Sequence, residues 1–267
     1  MPDFAAIKAR QQQAWATGDY AMIGHNVVLV SERLCHAVDL RAGQQVLDVA
    51  TGSGNTALAA ARHWCDVTGI DYVPALLERA RERAAAERLP VTFREGDAEH
   101  LPFPDEAFDV VLSTFGVMFA LDQEQAAREV LRVCRPGGKV GLANWPPDGF
   151  TGQGFRITAE YVPPPPGVPP PTLWGTEERL RTLFGAGVTS LHCTRRSIIF
   201  RYHSAQHYLE HFRTYFGPTI RAFEGLPAER QERLSRAMLE NIHRFNQSGD
   251  ETMVVPSEYL EVVATKS

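Results

Sequence analysis

The stretch VLDVATGSGNTALAAA, Val46 to Ala61, decides the fold of this 267-residue chain. It begins as an apolar run, turns through Gly52 and Gly54, and continues in small residues that favour a helix. Glycine at such a turn lets the backbone approach a ligand closely, and the helix that follows presents free N–H groups at its positive end. Asp48 lies inside the apolar run, where an unpaired carboxylate is costly, so a hydrogen-bonding partner is expected close to it. The stretch therefore predicts a strand, a tight turn with room for a ligand, and a helix.

Strand and helix patterns alternate on both sides of this turn. Strand-like segments begin near Gln45, Asp66, Val91, Phe108 and Lys139, with helical segments between most of them. The helix that starts at Pro74 is the clearest of these, because proline fits a first helical turn, where its missing N–H is not needed. Such alternation is typical of a mostly parallel, doubly wound sheet that binds ligands at the carboxyl ends of its strands.

The character of the chain changes after Trp145. The stretches PPDGFTGQGF, residues 146–155, and VPPPPGVPPPTLWG, residues 162–175, are rich in proline and glycine and are expected to be extended as a linker or a lid. A helical segment follows from about Ser204 to Asn246, before a last strand. We therefore predict an N-terminal helical lid (1–40), a ligand-binding core (41–200 and 250–267) and a helical cap insert (201–249).

Composition points to a small-molecule partner. The net charge is -5 and the pI about 6.0, whereas a nucleic-acid-binding protein would carry a basic stripe. The four cysteines form no CxxC pair, which favours reduced thiols over disulfides or a zinc site. The chain shows no apolar leader and no run long enough for a membrane span. A cytoplasmic location is expected, and the oligomeric state is left open.

Two further acids bear on the ligand. Residues 52–57 satisfy the dinucleotide fingerprint GxGxxA, so a nicotinamide-dependent oxidoreductase must be considered. Asp71 ends the next strand, 19 residues after Gly52, where a carboxylate is placed to accept hydrogen bonds from both hydroxyls of a ribose. Asp97 ends the third strand, and its side chain with the next N–H is suited to the edge of an adenine ring. A dehydrogenase requires neither Asp48 nor Asp97.

Five motifs occur in order between Gly43 and Trp145: DVATGSG, GIDY, GDAEHLPF, FDVVLS and RVCRPGGKV. Together they resemble the class I methyltransferases that use S-adenosylmethionine, in the type 11 branch that includes ubiquinone and menaquinone biosynthesis methyltransferases. With this resemblance, the sequence predicts an α/β, doubly wound, Rossmann-like fold with a seven-stranded, mostly parallel sheet, an antiparallel last strand and helical cap segments. The resemblance also implies S-adenosylmethionine as cofactor and methyl transfer, by in-line displacement, to a small apolar or aromatic molecule.

The resemblance implies cofactor contacts at eleven positions: Asp48, Ala50, Gly52, Gly54, Asn55, Asp71, Tyr72, Asp97, Ala98, Ser113 and Phe115. The glycine turn would lie along the methionine part, with Asp48 near its amino group. Asp71 would take both ribose hydroxyls, while Asp97 and the Ala98 N–H would bind adenine. Ala50 stands where the family pattern has glycine, so position 50 is expected not to need a positive φ.

Residues for the methyl acceptor come from outside the matched motifs. Tyr20 and His25, in the leading helical segment, are the candidates to orient or deprotonate an acceptor. Alternatively, both are packed residues at a helix join. Phe115, Met118 and Phe119 fit equally well as an apolar wall for the acceptor or as core.

The histidines at 203, 207 and 211 form a stripe on one helix face. A metal site would need a third ligand at a recognisable spacing, and the sequence offers none, so no metal is expected. Besides the oxidoreductase, a non-catalytic regulator that keeps the cofactor pocket stays open as an alternative.

Overall fold

A single seven-stranded sheet organises the computed structural model, which describes residues 4–267. The strands are β1 (Gln45–Val49), β2 (Asp66–Asp71), β3 (Val91–Glu95), β4 (Phe108–Thr114), β5 (Cys134–Asn144), β6 (Val188–Tyr202) and β7 (Met253–Lys266). Their spatial order is β3-β2-β1-β4-β5-β7-β6. The first five pair in parallel, and β7 runs antiparallel to both of its neighbours. The predicted fold class is confirmed.

Eleven α-helices are present in the described chain. They are α1 (Phe4–Thr17), α2 (Tyr20–Gly24), α3 (Val28–Ala37), α4 (Asn55–Arg62), α5 (Pro74–Glu87), α6 (Gln123–Val133), α7 (Phe150–Tyr161), α8 (Glu177–Phe184), α9 (Ala205–Tyr215), α10 (Gly217–Glu224) and α11 (Ala228–Phe245). None of these helices is long and apolar enough to cross a membrane.

The central strands are buried because helices cover both faces of the sheet. Val46, Leu47 and Val49 of β1 are fully buried. Val46 packs in the cluster that contains the small residues of α4, whereas Leu47 and Val49 belong to the cluster on the other side, with α6. A strand buried on both faces reads as a continuous apolar run, which is why this stretch was informative in the sequence.

The prediction for residues 146–155 was wrong in part, since FTGQGF forms the first half of α7 instead of an extended segment. Phe150 and Ile157 of this helix are buried. A Cβ at Gly152 would lie 2.0 Å from the Pro146 carbonyl oxygen, so glycine lets the helix pack directly on the preceding chain. Packing therefore outweighs the ~1 kcal/mol that each glycine costs inside a helix.

The rest of the proline-rich segment is mostly irregular, as expected, and ends in a 3-10 turn at Pro171–Gly175 that buries Trp174. Strand β5 also begins earlier than expected, because RPGG continues the strand across a register shift opposite Phe108 and Val110.

Helices α9, α10 and α11 fall in the predicted cap insert, and α7 packs with them. Ile157 of α7 shares an apolar cluster with Leu209, Phe223 and Leu234. The division into lid, core and cap stays a prediction. It places α7 in the core range, although the side chains of α7 meet the cap.

Candidate functional site

A cavity of about 850 Å³ lies at the carboxyl ends of the parallel strands, beneath α1 and the cap helices. Two groups of residues line it. The strand-end half carries the polar groups, at Asp48, Ala50, Gly52, Asp71, Tyr72, Asp97 and Ala98. The cap half is apolar and largely aromatic, with Trp145, Phe150, Phe155, Phe200, Tyr208, Phe212 and Phe216. The volume of the whole cavity is near the top of the ~300–1,000 Å³ range of ligand pockets, so the cavity has room for two molecules side by side.

Asp48 has the partners that its burial requires. It is only 1% exposed, and its Oδ2 accepts hydrogen bonds from Thr51 Oγ1 at 2.5 Å and from the Ala57 N–H at 3.0 Å. The carboxylate thereby joins β1, the glycine turn and the first turn of α4. Burial raises the pKa of Asp48 to about 7, although both hydrogen bonds act in the opposite direction.

The turn itself is left-handed at three positions. Gly52 has a φ of 54° and Gly54 a φ of 87°. The expectation that position 50 needs no positive φ was wrong, because Ala50 has a φ of 53°. Its carbonyl oxygen and Cβ would lie 2.6 and 2.7 Å from a Cβ at Gly116, so the two turns pack too closely for a side chain at position 116. Ala50 therefore carries the strain that glycine would avoid at this position.

Asp71 holds the turn from the neighbouring strand. Its Oδ2 accepts from the Gly52 N–H at 2.9 Å and its Oδ1 from the Val73 N–H at 2.9 Å. The residue is 5% exposed, and burial raises its pKa to about 6. A carboxylate has about four acceptor sites, so Asp71 keeps acceptor capacity for a ligand that enters the cavity.

Asp97 lies at the end of the third strand, against α1. Its Oδ1 accepts from the Glu99 N–H at 2.9 Å, and its Oδ2 is 2.6 Å from Lys8 Nζ. The Ala98 N–H has no hydrogen-bond partner within residues 4–267, and Ala98 lines the cavity. An acceptor and a free donor therefore stand next to each other at this edge.

The other predicted cofactor positions differ in what they contact. Asn55 donates to the Gly24 carbonyl at 2.8 Å, and the Tyr72 hydroxyl donates to Gln11 Oε1 at 3.2 Å. Phe115 stacks on Trp145 with ring centroids 3.7 Å apart. Ser113 is buried outside the cavity lining, where it donates to the Val49 carbonyl and accepts from the Val117 N–H. It supports the strand ends.

Helix α1 closes the strand-end half with polar side chains that the sequence interpretation missed. Lys8, Gln11 and Gln12 reach across to Asp97, the Phe119 carbonyl and the Tyr72 carbonyl, respectively. With Trp15, these residues are spaced i, i+3, i+4 and i+7, so they lie on one helix face. This polar stripe is the sequence feature that could have indicated that α1 faces the strand ends.

The two acceptor-side candidates, Tyr20 and His25, differ in their position relative to the cavity. Tyr20 lines the cavity, and its buried hydroxyl makes no well-formed hydrogen bond within the described residues, although it faces the Gly217 backbone. Burial raises the pKa of Tyr20, so the phenol stays protonated. His25 is exposed outside the lining, with its ring 5.9 Å from that of His211.

Of the possible apolar wall, Phe115 and Phe119 line the cavity, whereas Met118 is fully buried core. Of the predicted histidine stripe, His207 and His211 lie on α9 and are half-buried, whereas His203 precedes the helix and is exposed. The ring centroids of His203 and His207 are 4.9 Å apart. Within residues 4–267, no group of His, Cys, Asp or Glu side chains is arranged to hold a metal ion.

Comparisons with known proteins agree with this arrangement. Residues 47–142 match the family described as methyltransferase domain. An uncharacterised protein of Mycobacterium tuberculosis is 38% identical over 97% of this chain and 95% of its own length. A demethylmenaquinone methyltransferase of Deinococcus radiodurans is 40% identical over 45% of this chain and 52% of its own. In fold, the chain is similar to the YcgJ protein of Bacillus subtilis, with a TM-score of 0.61, 22% identity, and coverage of 91% of this chain and 98% of that one.

Proposed function

Because this chain belongs to the class I methyltransferases that use S-adenosylmethionine, we propose that it methylates a small, apolar, ring-bearing molecule bound in the cap half of the cavity. One observation carries the proposal: the carboxylates at the strand ends and the aromatic rings of the cap line the same cavity. The polar half suits the cofactor, and the aromatic half leaves space for a second molecule beside it.

The strand-end half fits the cofactor's polar groups. Asp48 would face the amino group, Asp71 the ribose hydroxyls, and Asp97 with the free Ala98 N–H the adenine edge. A Cβ at Gly52 would meet no atom within 4 Å, so the wall there is bare backbone open to the cavity. When bound, S-adenosylmethionine supplies a methyl group already activated by a positively charged sulfur.

The residues of the chain then have to position the acceptor and exclude water. Proximity and orientation alone contribute up to ~7–11 kcal/mol in favourable reactions. Rings from β6, α7, α9 and the segment before α10 surround the cap half, and Tyr208 stacks on Phe212 with centroids 4.3 Å apart. Offset and edge-to-face contacts with such rings favour a flat acceptor.

The charged side chains in the lining also favour an apolar acceptor. Among the described residues, Lys8, Asp48, Asp71, Asp97 and Glu99 line the strand-end half, and Arg156 is the charged residue that lines the cap half. The Deinococcus relative is named as a demethylmenaquinone methyltransferase, and a quinone acceptor belongs to the same class. Of the two acceptor-side candidates, we assign the orienting role to Tyr20, because this residue lines the cavity whereas His25 lies outside the lining.

The two alternatives from the sequence fit less well. The GxGxxA fingerprint that suggested a nicotinamide-dependent oxidoreductase lies within the part of the chain that matches the methyltransferase domain. A non-catalytic regulator would need only the strand-end half of the cavity, and the aromatic cap half would have no role in it.

Calorimetric titration with S-adenosylmethionine, S-adenosylhomocysteine and NAD tests the cofactor site. We expect binding of the first two and none of the third. Methyl transfer from the labelled cofactor to a panel of flat apolar, polar and charged acceptors then tests the cap half. Transfer to charged acceptors alone would contradict the proposed substrate class.

A further inference from the structure

Lys8 of α1 lies between two carboxylates of the loop after β3. Its Nζ is 2.6 Å from Asp97 Oδ2 and 2.6 Å from Glu99 Oε2. The side chains of Lys8 and Glu99 are 22% and 6% exposed, so this ion pair is shielded from water. Shielded charge pairs are worth more than exposed ones, but only while every charge keeps a partner.

The two carboxylates are not equivalent. Glu99 Oε1 already accepts from the Leu121 N–H at 2.7 Å and the Asp122 N–H at 3.2 Å, so Glu99 is fixed by the main chain. Asp97 has one backbone donor, from Glu99, and its carboxylate is 31% exposed. His100 Nδ1 is 4.0 Å from Asp97 Oδ2 on a side chain that is 75% exposed, whereas Lys8 Nζ is at 2.6 Å, so Lys8 is the group that sets the direction of this oxygen.

Lys8 stays charged in this position. Burial lowers its pKa, but the hydrogen bonds and charges of Asp97 and Glu99 outweigh burial and raise the pKa above its ordinary value. The cluster carries one positive and two negative charges. Asp97 thus keeps unused acceptor capacity beside the free Ala98 N–H.

We propose that Lys8 is a positioning residue for base recognition: by holding Asp97 in place, it makes closure of helix α1 a condition for selecting the 6-amino group of adenine. This inference rests on the proposed cofactor site. It assigns to the lid helix a part in specificity, beyond covering the cofactor. An open lid would leave Asp97 free to turn and would weaken the discrimination between an amino group and an oxo group at that position.

The experiment is equilibrium binding of S-adenosylhomocysteine and of S-inosylhomocysteine, which carries a 6-oxo group, to Lys8→Gln, Lys8→Arg and the wild type. Arg10→Gln is the matched control, because it removes one positive charge from the same helix at an exposed residue with no ion pair in the described chain. We expect Lys8→Gln to weaken binding of S-adenosylhomocysteine about tenfold, the size of one lost charge-assisted hydrogen bond. Binding of the inosyl analogue should change less, so that the preference for adenine falls. Lys8→Arg should restore most of that preference.

A second arm repeats Lys8→Gln in an Asp97→Asn background. If Lys8 acts through Asp97, its substitution has little further effect there. An equal loss for both ligands, or an undiminished effect in Asp97→Asn, would reduce Lys8 to a clamp on the lid and overturn the proposal. Absence of cofactor binding in the wild type would overturn the proposed function itself, and this inference with it.

Discussion

Asp71 Oδ2 accepts a 2.9 Å hydrogen bond from the backbone N–H of Gly52. The carboxylate at the end of β2 therefore fixes the glycine turn at the end of β1. Because its other oxygen accepts from the Val73 N–H, the same side chain also holds the start of the next connection. One buried acid thus shapes two neighbouring parts of the cavity wall.

Replacing Asp71 by Ala should weaken binding of S-adenosylhomocysteine. The substitution removes the proposed contacts to the ribose hydroxyls, and one hydrogen bond to a charged group is worth about 1.5–3 kcal/mol, or roughly 10–150-fold in Kd. Calorimetric titration measures the change. Asp66→Ala is the control, because Asp66 is exposed at the opposite end of the same strand. A change below about twofold in Asp71→Ala would remove Asp71 from the cofactor site.

The sequence was sufficient to predict the strand ends, since the apolar runs, the glycines and the acids that follow them are local features. It was not sufficient to find contacts between distant segments. Lys8 and Asp97 are 89 residues apart in the sequence, and only the path of α1 over the strand ends brings them together. The helix at FTGQGF was missed for a similar reason, because its stability comes from packing on Pro146 and burial of Phe150.

Affinity for S-adenosylhomocysteine should rise with pH across neutrality. Burial raises the pKa of Asp48 from its ordinary 3.8 to about 7, so the folded protein holds this proton more tightly than the unfolded chain. The resulting stabilisation is complete below about pH 4 and is lost as the pH rises to about 7. The ligand's cationic amino group requires the ionised carboxylate, so binding releases a proton in that range.

Calorimetry in buffers with different ionisation enthalpies counts the protons released between about pH 5.5 and pH 8. In Asp48→Asn, we expect the release assigned to position 48 to disappear, leaving the smaller contribution of Asp71, whose pKa is raised to about 6. Equal proton release in both proteins would show that Asp48 does not titrate on binding.

Ala50→Gly should stabilise the protein slightly. The left-handed φ of 53° costs an alanine about 1–2 kcal/mol, whereas glycine adds about 0.5–1 kcal/mol of unfolded-state entropy. The free energy of unfolding in urea should therefore rise by up to about 1.5 kcal/mol. Gly54→Ala is the opposite case, with a φ of 87° and a new Cβ 3.1 Å from the Cβ of Ala80, and it should destabilise. Loss of stability in Ala50→Gly would mean that the methyl contact with Gly116 outweighs the strain.

Gly217→Ala should separate the lid from the cap. A Cβ at this position would lie 1.9 Å from the Ala14 carbonyl oxygen, so α1 and α10 cannot keep their backbone contact. We expect a lower Tm and weaker binding of S-adenosylhomocysteine, because α1 carries Lys8 and Gln11 over the cavity. Gly154→Ala, where a Cβ would meet no atom within 4 Å, should not lower the Tm. Full cofactor affinity in Gly217→Ala would show that the strand-end half binds without the lid.

Tyr20→Phe distinguishes an acceptor-side residue from a packed one. Its hydroxyl is buried without a well-formed hydrogen bond in the described chain, and a buried polar group without a partner costs stability, so its removal should leave the Tm unchanged or raise it. If this hydroxyl orients the acceptor, turnover of an acceptor found by the screen should fall at least about tenfold, the value of one hydrogen bond. Binding of S-adenosylhomocysteine should stay within about twofold, because the proposed cofactor contacts lie elsewhere.

Tyr161→Phe provides the matched control for Tyr20→Phe, since Tyr161 lies on α7 outside the cavity lining. Its turnover should equal that of the wild type. A loss of cofactor affinity in Tyr20→Phe as large as its loss of turnover would make Tyr20 part of the lid over the cofactor, and the acceptor would then be oriented by the rings of the cap alone. Unchanged turnover with a raised Tm would identify Tyr20 as a packed residue between α1 and α10, since its ring lies 5.6 Å from Trp15 and 6.0 Å from Phe216.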